Sequence, residues 1–540
     1  MEVTVDVEPP HPFPAELQPD TVSALLDRRA DEQPEAPGLV AVSQARTYRT
    51  LAFETWRLEA AQLAQVLAHD YGVRPQDRVA WMLGNSHGTE AMVVYHAVAR
   101  LGAVNVPINN RLTPREIAHI LGHSEARVLI ATERERDTFG AALAGLPAPP
   151  ATIVVDGAEG TALRGRTRQA AEAPARPVSP TDDLCLVYTS GTTGTPKGVL
   201  HTHGSALAAG LQWADAFRLT AGEALQSPFP IFGGGALHFN SLSALWAGAA
   251  FVLEDFDPAD TLRLMASSGT SVYVAVPGVY QLVLNVSRPD PDRLRRVRIL
   301  DYGGASMTPV LIEELRRTFP WAGLMQTYGL TEAGPGGIYL PEEYAVARLG
   351  SVGNRAMGRY TRFRVVHPDG TDVGPGETGE FILTGPSLMK EYYKDTAATR
   401  SALRDGWLWT GDIVRIDEAG FVYHVDRRKD LVVRGGYNIS SVEVEAVLTQ
   451  HPLVVEAAVV AKPHRVLGED LKAFITVRPE DVPVDLDAIR AHCAASLADF
   501  KVPRDIEVVN DLPRNAAGKV LKRELRDRAA QAVDRPQASS

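Results

Sequence analysis

A chain of 540 residues is too long for one hydrophobic core and calls for at least two domains. Its 45% hydrophobic and 22% charged residues match soluble globular proteins, and a net charge of −11 excludes bulk binding to nucleic acid or to an acidic membrane surface. There is no run of about 18 uninterrupted apolar residues to insert in a membrane, and two cysteines are too few for a disulfide framework or a cysteine metal site.

Residues 1–20 are acidic and proline-rich and lack the basic start and apolar run of a secretory signal. They read as a flexible arm on a cytoplasmic protein. From Thr21 the pattern alternates. Val22, Leu25 and Leu26 predict a helix over 21–35, and residues 48–57 are expected to continue into a helix through Val66 and Leu67. Strands are predicted at 77–82, 103–107 and 126–131, with helices at 88–100 and 114–122 between them. The rhythm returns with a strand at 249–253, a helix at 258–267 and strands at 271–276 and 298–302. Such alternation implies parallel sheets covered by helices.

After Leu349, short apolar runs at 364–367 and 379–384, separated by turn residues, indicate a β-rich subdomain. The charged run Asp426-Arg427-Arg428-Lys429-Asp430 follows a strand at 421–425 and marks a domain boundary. Acidic and basic residues balance from Asp426 onward, so the net acidity belongs to the first part. The remainder suits a small α+β domain, with helices at 441–449 and 486–497 and strands at 454–461 and 473–477. The expected class is α/β: a large N-terminal domain of parallel αβα sheets with a β-rich subdomain over 21–428, and a small mobile α+β domain over 429–540.

Residues 183–199 read DLCLVYTSGTTGTPKGV. An apolar strand leads into Thr189, Ser190, Gly191, Thr192 and Thr193, with Lys197 adding a cation. Backbone N–H groups, small hydroxyls and one ammonium can ring a polyphosphate. The P-loop of other nucleotide enzymes is excluded, because the pattern counted from Gly191 needs glycine at Pro196 and Ser or Thr at Gly198.

The string from Tyr188 to Val199 resembles the signature of the acyl-adenylate-forming superfamily, which includes acyl-CoA synthetases, adenylation domains of peptide synthetases and luciferases. The resemblance runs from about Thr21 to Arg526, with several motifs in the family's order. It implies an enzyme that activates a carboxylic acid with ATP and Mg²⁺ and transfers the acyl group to coenzyme A. Residues 326–333, QTYGLTEA, resemble the nucleotide motif. By that likeness Tyr328 and Gly329 flank the adenine, Thr331 bonds phosphate and Glu332 holds Mg²⁺. Gly304, Ala305 and Ser306 resemble the adenine-binding turn. Residues 405–412, DGWLWTGD, place Asp412 on the ribose hydroxyls, joined by Arg427. In 513–520, PRNAAGKV, Lys519 takes the part of the cation bridging carboxylate and α-phosphate. Lys429 corresponds to the hinge about which the small domain swings, bringing Gly435 and Gly436 into the thiol path.

One position departs from the family. In 230–235, PIFGGG, Gly233 stands where many relatives carry His. Phe232, Gly233, His238 and Gly334 are expected to line the acid pocket. Small or apolar lining suits an aromatic, alicyclic or fatty acid. Transfer to an amine or a carrier-protein thiol is the alternative use of the same adenylate. A non-catalytic scaffold fits poorly with intact Lys519, Glu332 and Asp412. His201 and His203 are not read as a metal pair, since no carboxylate or cysteine clusters with them.

Overall fold

The computed structural model describes residues 21–173, 176–189, 196–287, 290–304, 307–427, 430–434, 437–464, 467–478, 483–514 and 520–531. Two compact units emerge: Met1–Arg364 with Ile382–Trp409, and Val365–Phe381 with Thr410–Ser540.

Two sheets organise the first unit. In one, Ala151–Val154, Val128–Ala131, Arg78–Met82, Val104–Pro107 and Asp183–Thr189 lie parallel in that order, and Lys197–Thr202 and Glu391–Tyr392 extend the edge antiparallel. In the other, Pro37–Val42, Ala250–Leu253, Ala224–Ser227, Val272–Ala275, Ile299–Gly303 and Gly323–Gly329 run parallel. Tyr48–Ala52 closes one edge antiparallel, and Gly337–Leu340 and Arg355–Ala356 close the other.

The helices Gly88–Arg100 and His203–Phe217 are buried almost all round, as their small and apolar residues require. Met92, Tyr95, Leu207 and Trp213 on them share one core with Leu39 and Leu225 of one sheet and Val79 and Leu184 of the other. That core supports Asp183–Thr189, the strand leading into the threonine- and glycine-rich connection.

The parallel βα pattern expected from the sequence is present, with one local difference. Residues 48–57 do not form a continuous helix. Tyr48–Ala52 is a strand paired with Pro37–Val42, and the helix begins at Phe53 and runs to Asp70. Pairing satisfies backbone groups that a first helical turn leaves open, and it overrides local helical spacing.

In the second unit, Trp407–Ile416 reaches in to pair antiparallel with Val422–Arg427. A further sheet is ordered Tyr437–Ile439, Val432–Arg434, Gly468–Val477, Val454–His464, with Asp505–Val508 parallel to Gly468–Val477. Val444, Leu448, Ile489 and Cys493 of the helices Ser441–Leu448 and Leu486–Ser496 pack with Val459 and Ile475. Leu525 and Ala529 of Lys522–Gln531 pack with Val460 and Phe474 instead. Adjacent strand residues point to opposite faces, so helices cover both sides of this sheet. The start of the charged run lies inside this unit: Asp426 is buried, and its Oδ2 accepts from the backbone N–H and hydroxyl of Ser441 at 2.6 and 2.7 Å.

Candidate active site

The phosphate-loop segment connects two paired strands. Thr189 ends Asp183–Thr189 directly opposite Lys197, which opens Lys197–Thr202. Ser190, Gly191, Thr192 and Thr193 belong to the connection and lie outside the described residues. Lys197 Nζ is 3.5 Å from the Asp395 carboxylate and 5.1 Å from the centre of the Tyr392 ring. Tyr392 is fixed by pairing with Val199, and its hydroxyl donates to Glu332 Oε1 at 2.8 Å. The Glu332 carbonyl accepts from Met389 N at 2.8 Å. One tyrosine therefore ties the lysine of the first motif to the glutamate of the second.

That second motif sits on Gly323–Gly329, with Tyr328 opposite Ile338 and Gly329 opposite Gly337. Thr331–Ala333 then forms a single 3₁₀ turn. The Thr331 carbonyl accepts from His201 Nε2 at 2.8 Å, and His201 Nδ1 faces Ser205 Oγ at 3.3 Å. His201 is fully buried, and loss of water pushes its pKa down to about 4, so the ring is neutral at neutral pH. Nε2 thus carries the proton given to Thr331, and Nδ1 accepts from Ser205. His203 accepts from Val22 N at 3.3 Å, a separate structural contact. Among the described residues no three His, Cys, Asp or Glu gather as a metal site. A Mg²⁺ ion here would depend on Glu332 together with phosphate oxygens and water, which is the oxygen set this ion prefers. Glu332 fits: Tyr392 holds one carboxylate oxygen, and no described residue donates to the other.

Gly304 follows Ile299–Gly303 at φ +74°, a left-handed conformation that favours glycine; Ala305 and Ser306 lie outside the described residues. Gly334 has φ +83°, and a Cβ there would meet the Ser387 carbonyl oxygen at 2.7 Å and Ala209 Cβ at 3.1 Å. Its missing side chain is required by protein packing, whatever else it borders.

On the acid side, Asn85 fixes the approach to the glycine turn. Its Nδ2 donates to the carbonyls of Phe229 and Glu254 at 3.1 and 2.8 Å, and its Oδ1 accepts from Ile231 N at 2.9 Å. Half-buried Phe232 packs on the main core. A Cβ on Gly234 would lie 3.5 Å from Pro335 and 3.8 Å from Thr331 Cγ2, so the turn runs beside the nucleotide motif. At Gly233 the nearest atom to such a Cβ is the Pro230 oxygen at 3.4 Å. The chain then enters a π-helix, Gly235–Ser241, which buries His238 with its ring 5.1 Å from that of His201.

In the second unit, Asp412 is 3% exposed and stands directly opposite Arg427 in the strand ladder. Its N–H donates to Thr410 Oγ1 at 3.1 Å, and His424 Nε2 is 3.8 Å from its carboxylate. The two residues assigned to the ribose by resemblance are thus cross-strand neighbours. The Arg427 side chain, Lys429, Gly435, Gly436 and Lys519 lie outside the described residues. Gly435 and Gly436 connect Arg434 to its partner Tyr437, and Lys519 belongs to the segment joining the bridged pair Arg514 and Val520.

Three contributors escaped the sequence reading: Tyr392, His201 and Asn85. Tyr392 sits in a charged run with no spacing signal, and His201 drew notice only as a neighbour of His203. Asn85 follows the strand Arg78–Met82 in a Gly-Asn-Ser turn, a faint cue for a side chain that bonds backbone.

Comparison with known proteins shows the family. The model of the AMP-binding enzyme family matches residues 26–393, and that of the AMP-binding enzyme C-terminal domain matches 443–519. A feruloyl-CoA synthase from Amycolatopsis sp is 34% identical over 93% of this chain and 97% of its own. The 3-[(3aS,4S,7aS)-7a-methyl-1,5-dioxo-octahydro-1H-inden-4-yl]propanoyl:CoA ligase of Mycobacterium tuberculosis is 34% identical over 94% and 98%. The solved Mycobacterium tuberculosis fatty acyl CoA synthetase superposes with a TM-score of 0.75 at 30% identity, covering 95% of this chain and 99% of that one. The protein is an AMP-forming acid–thiol ligase that uses ATP, Mg²⁺ and coenzyme A and works through an acyl-adenylate. The chain belongs to the AMP-binding enzyme family.

Proposed function

We propose that this ligase converts an aromatic, alicyclic or fatty carboxylic acid to its CoA thioester, with the phosphates held between Lys197 and Glu332. The observation that supports this assignment is the convergence of both residues on Tyr392, with Thr331, the residue before Glu332, 3.8 Å from the place of a Cβ on Gly234. In the first half-reaction a carboxylate oxygen bonds to the α-phosphorus as the bond to pyrophosphate breaks. Two anions meet, so cations and fixed donors that strengthen with the leaving charge lower the barrier. Thr189–Thr193 and Lys197 hold the departing phosphates, and Thr331 donates to phosphate. Tyr328, Gly329 and Gly304–Ser306 seat the adenine; Asp412 accepts from the ribose hydroxyls, with Arg427 beside it. Lys519 bridges the acid carboxylate and the α-phosphate. When bound at Glu332, Mg²⁺ supplies charge neutralisation to the phosphates.

In the second half-reaction the thiol sulfur attacks the acyl carbonyl and AMP leaves with the electron pair of the broken bond. Residues 429–540 act as the lid, turning about Lys429, with Gly435 and Gly436 leaving room for the narrow pantetheine arm. Alternation of this kind excludes water between the two steps. Phe232, Gly233, His238 and Gly334 border the acyl group. The breadth of acids named for the relatives, from feruloyl to bicyclic diketone to fatty acyl, supports a bulky acid.

A panel of aromatic, alicyclic and fatty acids, assayed for pyrophosphate release and for thioester with and without CoA, tests the reading. Lys519→Ala is expected to lower acid-dependent pyrophosphate release by at least about 100-fold. Undiminished release would remove Lys519 from the reaction, and activity confined to acetate-sized acids would overturn the substrate class.

A further inference from the structure

The lysine of the first motif has an anionic partner within the protein. Asp395 Oδ2 lies 3.5 Å from Lys197 Nζ, and among the described residues neither group has another ion-pair partner. The separation exceeds that of a good hydrogen bond, so the three N–H donors of the ammonium remain open to stronger acceptors. The Tyr392 ring, 5.1 Å from Nζ, borders the same cation from the start of the turn that ends at Asp395.

Asp395 is held by more than this contact. Its Oδ1 accepts from Ala398 N at 2.9 Å and caps the helix Thr396–Ala402. Its N–H donates to the Tyr392 carbonyl at 3.0 Å, and its own carbonyl accepts from Thr399 N at 3.0 Å. The turn is bonded in addition to the strand that carries the lysine: Tyr392 pairs with Val199, and Tyr393 N donates to the Gly198 carbonyl at 2.8 Å. One carboxylate oxygen therefore serves the helix while the other stays beside the ammonium. Capping accounts for an acceptor at this position but not for its charge, because Asn and Ser cap about as well as Asp. The charge bears on Lys197.

Exposure decides what such a pair can do. The Lys197 side chain is 30% exposed and that of Asp395 41%. An ion pair this open to water contributes little to folding. A polyphosphate carries more negative charge than one carboxylate and draws the ammonium away from it; when the polyphosphate leaves, the carboxylate recovers its partner.

Resting on the reading that Lys197 holds the phosphates, we propose that Asp395 is a positioning residue that competes with them for the lysine. It keeps the ammonium in place between turnovers and takes it back as pyrophosphate departs. Asp395 thus weakens the hold on the leaving group through its charge, while its capping oxygen only supports the helix.

The experiment titrates Mg²⁺-pyrophosphate and Mg²⁺-ATP calorimetrically into the full-length enzyme. Asp395→Asn and Asp395→Ser both keep a capping oxygen and share the loss of charge. Each is expected to bind pyrophosphate at least about threefold more tightly than the parent, with the difference shrinking as salt is raised. A residue that only supported the fold would lose affinity on substitution and would not gain it. The gain from Asp395→Asn should largely vanish when it is combined with Lys197→Met, because the carboxylate acts through the lysine. Unchanged or weaker pyrophosphate binding in the folded variants would overturn the proposal. So would a gain that persists in full without the lysine, since Asp395 would then repel the phosphates directly. Circular dichroism reports folding, and Asp395→Ser carries the test where Asp395→Asn fails to fold; failure of both would assign the charge to the fold and overturn the proposal as well. Lys197→Met alone is expected to weaken both ligands by about tenfold. Affinities equal to the parent's would instead defeat the placement of phosphate at Lys197 beneath the proposal.

Discussion

The hydroxyl of Tyr392 donates to Glu332 Oε1 at 2.8 Å while the Lys197 ammonium lies 5.1 Å from the centre of the same ring. A tyrosine so placed orients one carboxylate oxygen and leaves the other available. A hydrogen bond to a charged group is worth about 1.5–3 kcal/mol. Tyr392→Phe keeps the ring under Lys197 and removes only the donor. It is expected to raise the Mg²⁺ concentration at half-maximal ATP binding about tenfold, measured by calorimetric titration, with metal-free ATP binding little changed. Superimposable Mg²⁺ titrations would show that the contact is only structural.

Gly233 leaves space at the glycine turn. A Cβ there meets nothing nearer than the Pro230 oxygen at 3.4 Å, and its φ lies outside the left-handed region. Gly233→His should therefore fold with a Tm within about 3 °C of the parent, since its Cβ makes only an ordinary contact and the backbone is unstrained. The added ring fills volume beside Phe232, so kcat/KM should fall most for the bulkiest acids of a graded panel. A uniform fall across the panel would mean that this position does not shape the acid pocket.

Much of the fold can be read from the chain because burial imposes periodicity. Gly88–Arg100 has the bounds its spacing predicts, and the strands around Val79, Val106 and Val128 are apparent as short apolar runs. Tyr48–Ala52 is not, because its state is decided by a partner strand, Pro37–Val42, whose own signal is weak. In the candidate site, Lys197, Glu332 and Asp412 are picked out in the chain because each stands in a motif that resembles the family's. Tyr392, His201 and Asn85 are not. Each acts through a contact distant in sequence, His201 to Thr331 and Asn85 to Glu254 among them, which no local pattern encodes. The π-helix is equally hidden, since its sequence reads as an ordinary apolar segment.

Gly334 illustrates how a glycine next to a sequence motif can answer to packing. Its φ of +83° and the 2.7 Å approach to the Ser387 carbonyl oxygen both oppose a side chain. Gly334→Ala is expected to destabilise the protein by about 2 kcal/mol, combining backbone strain with the clash. Gly157 is the control: its φ is +62°, and nothing lies within 4 Å of the place a methyl would take. Gly157→Ala should lose only the strain part. Equal losses in urea unfolding of the two variants would show that the Ser387 backbone yields.

His201 and His203 make the fold sensitive to acid. Burial pushes both from 6.5 down to about 4, with Asp182 opposing the shift slightly at His203. Between those values the unfolded chain binds protons that the folded protein refuses, so stability rises with pH across the window. The stabilising contribution is complete above pH 6.5 and is lost as pH falls toward about 4. For each histidine the loss amounts to about 3 kcal/mol. His203→Asn keeps an acceptor for Val22 N and removes one titrating group. Unfolding free energies measured by urea from pH 7 to 4 should therefore fall less steeply in the variant than in the parent. Parallel curves would mean that His203 is protonated in the folded state without penalty. At His201, protonation adds an N–H at Nδ1 that the Ser205 oxygen can accept while its hydroxyl donates to the Thr202 carbonyl, and Nε2–H keeps its bond to Thr331. Loss of nucleotide affinity is therefore expected to coincide with global unfolding as pH falls, and a loss that comes clearly earlier would show that the His201 proton is read by the nucleotide motif.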